Sequence, residues 1–155
     1  MTELRAGDVI AVKNYWGAKS VAVLAGYGET TLLAYECTKD ARPTCLRTGR
    51  EEPAGIQAHR VTDFSSFGPV FHYSLRYLLY PLQIDRILDV VELQLGYGPT
   101  IESSRKVWDN RNAELVAEAL VSIGVLCSPK LDWTPNGLVK HLVKTGIVSC
   151  GKQIN

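Results

Sequence analysis

Apolar residues fall in short runs over the first sixty positions of the chain and at helical spacing over much of the rest. Asp8 to Lys13 follows Gly7 and is rich in β-branched residues, and Ser20 to Ala25 is an almost wholly apolar run ending at Gly26. Both predict buried strands. Gly26-Tyr-Gly-Glu predicts a turn into a third strand, Thr31 to Thr38, whose only charge is Glu36. That carboxylate either sits exposed at a strand end or points into a cleft. Ile56 to Thr62 predicts a fourth strand with His59 inside it. Between the first two strands, Asn14 to Lys19 carries Tyr15 and Trp16, as a lid over the core or as a wall that contacts a ligand. Residues 39–53 are charged, contain Pro43, Gly49 and Pro53, and read as a mobile surface loop.

From residue 65 the spacing changes. Phe71 to Tyr80 gathers four aromatic residues and three leucines, a cluster suited to a core or to a partner surface. Leu82, Ile84, Ile87, Leu88, Val91 and Leu95 share one helical face, which Gly96 ends. Asp109 to Gly124 reads as a polar turn feeding a buried helix whose apolar stripe is Leu115, Val116, Ala119, Leu120 and Ile123. On that reading Asn112 and Ala113 lie beside exposed backbone N–H groups, where a thiolate would be stabilised. Neither is a nucleophile. Thr134 as N-cap, Pro135 at the first helical position and Gly146 past the end predict a last helix, and residues 147–155 read as a tail or edge strand. The resulting order, β-β-β-β-α-α-α, predicts one α+β domain over residues 1–155, an antiparallel sheet packed against helices.

Composition narrows the partners. Seventeen basic against sixteen acidic residues in 155 leave a net charge of +1, so no global field gathers nucleic acid, and none is expected as a partner. The first residues lack the apolar run of a signal peptide and no stretch approaches a membrane span, which points to the cytoplasm or to a particle assembled there. Cys37, Cys45, Cys127 and Cys150 have no tight pairing pattern and read as reduced thiols. Cys37 and Cys45 are too far apart for a zinc knuckle, and no second pair accompanies them. No metal and no cofactor is expected.

Gly-Asp-Val-Ile near the start, a strand ending in Glu, a helix closing in Leu-Gly-Tyr, then Asn-Ala-Glu-Leu-Val-Ala-Glu-Ala-Leu and Thr-Pro-x-x-Leu carry a resemblance. From Gly7 to about Leu142 the chain resembles the circularly permuted papain-like group, which includes permuted NlpC/P60 hydrolases and lecithin-retinol-acyltransferase-like proteins. In that group a Cys at the start of the helix attacks an amide or ester, a His at the start of the second strand takes its proton, and a third polar residue fixes the imidazole. Aligned on Glu-Leu-Val, the Cys position is Asn112 or Ala113, and the His position is Ser20. Glu36 and His59 are the candidates for the third place.

The resemblance therefore implies a fold whose dyad is missing. A natural pseudoenzyme accounts for both losses, whereas an engineered change at Ala113 would leave Ser20 unexplained. A displaced alignment would move the chemistry to Cys127, Cys37, His59 or His72. The first reading implies a non-catalytic domain that binds or scaffolds a protein, with a peptide or lipid as ligand and, by analogy with viral members, a virion or host-interaction role. The alternative is a thiol hydrolase or acyltransferase inactivated by substitution at its nucleophile.

Overall fold

The computed structural model describes residues 3–39, 54–64, 68–127 and 132–155. Nearly all of the loop expected at 39–53 lies outside them. The described strands are β1 (Val9–Asn14), β2 (Gly17–Ala25), β3 (Leu33–Thr38), β4 (Gly55–His59), β5 (Val70–Tyr73) and β6 (Lys152–Gln153). They form one antiparallel sheet in the order β4-β3-β2-β1-β5-β6. Two single helical turns, α1 (Gly28–Thr31) and α2 (Val61–Phe64), link strands, and α3 (Pro81–Glu92), α4 (Arg105–Ser122) and α5 (Pro135–Lys144) form the helical layer.

Both faces of the sheet are buried, which is why its strands read as continuous apolar runs rather than alternating ones. Val9, Ala11, Val21, Val23, Tyr35 and Ala58 share the main core with the long helices, to which Ile87, Leu115, Leu120 and Leu138 contribute. Ile10, Val12, Ala22, Leu24, Ala34 and Val70 point the other way, into a smaller cluster closed by Phe64. The stripe on α4 is core as expected: Leu115, Val116 and Leu120 are fully buried and Ile123 nearly so.

Several expected boundaries move. Thr31 ends α1 instead of starting β3, and Val61 and Thr62 belong to α2 rather than to the fourth strand. The aromatic stretch divides. Its first residues form β5 between β1 and β6, with Tyr73 and Leu75 buried, whereas Leu78 and Tyr80 are exposed. The largest correction concerns α4. It starts at Arg105, capped by Ser104, whose hydroxyl accepts from the Val107 N–H. Residues 109–112 are thus helical rather than a polar turn, and Asn112 and Ala113 lie in the third turn, beyond the reach of the N-terminal dipole. The Thr134 cap on α5 is present, accepting from the Gly137 N–H. Among the described residues no helix is long and apolar enough to cross a membrane.

Candidate functional site

The ladder between β2 and β3 stops early. It pairs Ala25 with Leu33, Leu24 with Ala34 and Val23 with Tyr35. Continued in the same register it would set Val21 opposite Cys37, but the side chain of Asn112 stands between them. Its Oδ1 accepts from the Val21 N–H at 2.9 Å and its Nδ2 donates to the Cys37 carbonyl at 2.7 Å. One side-chain amide thus supplies the acceptor and the donor that a neighbouring peptide would have offered. The opened strands leave room for a cleft of about 150 Å³, lined among others by Ser20, Cys37, Thr38, Trp108 and Asn112.

A β-bulge shapes the near edge of the same opening. β1 pairs Val12 with Ser20 and then Lys13 with Ala18, so Lys19 is the extra residue. Ser20 follows it and links two groups: its Oγ accepts from Asn112 Nδ2 at 3.2 Å and donates to Glu36 Oε2 at 3.2 Å. The second Glu36 oxygen lies 3.4 Å from His59 Nε2. This is ion-pair distance without the alignment of a hydrogen bond, and both side chains are buried. A polar chain therefore runs Asn112–Ser20–Glu36–His59, from the helical layer through the gap between β2 and β3.

The structure brings four of the five sequence candidates together. Glu36 is fully buried rather than exposed at a strand end. Ala113 does not join them; it is buried in the main core, so of the two alignments only the one through Asn112 meets Ser20. Of the other candidates, Cys127 is exposed and takes no part in the chain, while His72 is buried against Asp8. Cys37 lines the cleft, but burial pushes its thiol from 9.0 up to about 12; Arg111 opposes this, and Glu36 and Glu114 add to it. It supplies no thiolate near neutral pH. Asp109, also on the cleft, has its carboxyl raised by burial, with Arg105 at 4.0 Å pulling it back.

Order decides what the chain can do. In a nucleophile–base–acid relay the imidazole stands between hydroxyl and carboxylate. Here the carboxylate stands between Ser20 and His59, so the imidazole cannot take the serine proton directly. In this order Ser20 is held by a carboxylate and not by an imidazole.

Sequence reasoning missed one polar cluster. Asp8 Oδ2 meets His72 Nε2 at 2.7 Å and accepts from the Arg5 N–H at 3.0 Å, while Oδ1 accepts from the Leu75 N–H at 2.8 Å. Nothing local marks this pair, because its members are 64 residues apart and meet only through the pairing of β1 with β5. Trp108 was also missed; it is buried beside the cleft, and its Nε1 has no hydrogen-bond partner among the described residues. No protein-family model, curated protein or solved structure matches the chain.

Proposed function

We propose that this chain is a non-catalytic domain of the permuted papain-like, NlpC/P60-like kind, which acts by binding or scaffolding a protein partner. The observation that carries the reading is the hydrogen-bonded run Asn112–Ser20–Glu36. Those residues are the ones the resemblance aligns with the nucleophile, the base and a third polar group. They meet as a relay would, with an amide where the thiol should be and a hydroxyl where the imidazole should be. The amide is also committed to the backbone of two strands, which gives Asn112 a structural reason to be there. Among the described residues the nearest thiol, Cys37, is buried and held neutral.

A thiol-reactive activity probe tests the reading on the natural sequence. At pH 8 the exposed Cys127 and Cys150 should label slowly, at the rate of ordinary surface thiols, and Cys37 should stay unlabelled until the protein is unfolded. Fast labelling of a single cysteine at pH 6, abolished by pre-blocking, would instead establish a working thiol enzyme.

A further inference from the structure

The loop between β1 and β2, read from sequence as a lid or a ligand wall, does not cover the core. Tyr15 is 93% exposed and Trp16 84%, the rings meeting edge to face with centroids 5.2 Å apart. Yet the turn that carries them is tied down. Asn14 Oδ1 accepts from the Trp16 N–H at 2.8 Å, and Asn136 of α5 accepts from the Ala18 N–H at 3.1 Å. Gly17, at φ +116°, lies so close to Asn136 that a Cβ there would come within 2.4 Å of its Oδ1. Two aromatic rings are thus held in water on an anchored turn, an arrangement that core packing does not require.

Between this turn and α5 lies a cleft of about 530 Å³. Lys13, Lys140 and Lys144 line it, and among the described residues no Asp or Glu does. The Lys13 ammonium sits 4.6 Å from the centre of the Phe71 ring, and Lys140 and Lys144 are one helical turn apart on α5. We infer that this cleft docks a short acidic segment of a partner protein, its carboxylates facing the three lysines and an apolar or aromatic side chain covering Trp16 and Tyr15.

The size of the charge selects a peptide over larger polyanions. Three lysines are fewer than the roughly 6–10 phosphate contacts of a typical nucleic-acid binder. They also fall short of the clusters of about 4–8 basic residues that hold proteins on anionic bilayers. A net charge of +1 adds no long-range attraction for either. Three cations beside two aromatic rings do suit a segment bearing two or three carboxylates, with the rings as the anchor. The inference rests on the binding role proposed above and names its partner.

The test uses a fluorescein-labelled dodecapeptide of alternating glutamate and tyrosine, with a glutamine-for-glutamate version as control. Anisotropy should show binding by the acidic peptide that salt weakens, and the control should bind at least about tenfold less tightly. Lys140→Glu with Lys144→Glu, and separately Trp16→Ala, should each weaken binding about fivefold or more. All three positions are surface-exposed, and far-UV circular dichroism checks that the variants fold. Bound peptide should slow alkylation of Cys150, which lines this cleft, and leave that of Cys127, which does not, unchanged. Equal binding of the glutamine control would overturn the inference, as would no binding at about 1 mM peptide, a weak-affinity limit. Tighter binding of a thymidine dodecamer or of phosphatidylserine vesicles, lost in the same variants, would assign the cleft to those ligands instead. A fast-labelling cysteine in the natural sequence would remove the pseudoenzyme reading and leave Cys150 protection standing, so the two failures are separable.

Discussion

Two carboxylate–histidine pairs are buried in this sheet, and they are built differently. Asp8 and His72 meet at 2.7 Å, and two backbone N–H groups brace the carboxylate. Glu36 and His59 stand 3.4 Å apart, and the other oxygen of that carboxylate accepts from Ser20, which lines the cleft. The first pair ties β1 to β5 and to the chain that follows Tyr73. The second spans β3 and β4 and continues into an opening between strands. Burial alone therefore does not mark a site, and neither does a neighbouring cleft, since His72 lines one of about 440 Å³ with Arg5 and Ser74; what distinguishes the second pair is the hydrogen-bonded run from its acid to Ser20 and Asn112.

The contrast predicts unequal costs. Asp8→Ala would leave the Arg5 and Leu75 N–H groups and the His72 imidazole without their acceptor. Denaturant unfolding should show a loss of about 3–5 kcal/mol, the usual cost of breaking a buried pair. A loss below about 1 kcal/mol would mean that the bracing is unimportant. Asn112→Ala should cost a comparable amount, because it orphans the Val21 N–H and the Cys37 carbonyl at about 1–3 kcal/mol each. Amide hydrogen exchange at Val21 should rise sharply in that variant, and unchanged protection there would refute the bridging role. Glu36→Gln should cost least, about 1 kcal/mol, since an amide oxygen can still accept from Ser20 and the His59 contact is poorly aligned. If it instead matched Asp8→Ala, the two pairs would be equivalent and the contrast would fail.

Much of the fold was legible because its strands are apolar on both faces and its long helices carry clear stripes. β5 was not, since Val70-Phe-His-Tyr is only four residues long and its aromatic residues looked like the start of a longer cluster. The two-residue β6 is too short to carry a period. The start of α4 was missed because Arg105, Lys106, Asp109 and Arg111 hide the helical spacing. Trp108, one turn before Asn112, and the Ser104 cap were the signals available. Ser20, Glu36, His59 and Asn112 were each named from sequence through the resemblance or as polar residues in apolar strands. The topology that the resemblance implies also set them around one cleft, but the order in which they connect was not legible, because it depends on where the β2–β3 ladder ends and on an amide inserted there.

Losing the helix N-terminus also sharpens the question of whether the cleft keeps a relay geometry. A thiol at position 112 would receive no dipole from the first turn of α4, so an imidazole at position 20 is the group that would have to activate it, beyond whatever the nearby Arg105 and Arg111 supply in both variants. The most direct test pairs Asn112→Cys with Ser20→His and measures alkylation at pH 6 by mass spectrometry, with Cys127 and Cys150 as slow controls in the same molecule. The account predicts that the thiol introduced at 112 reacts about tenfold or more faster than the controls in the paired variant, and no faster in Asn112→Cys alone. Equal rates in a paired variant whose circular dichroism shows it folded would contradict the claim that Asn112 and Ser20 occupy the places of a nucleophile and its base.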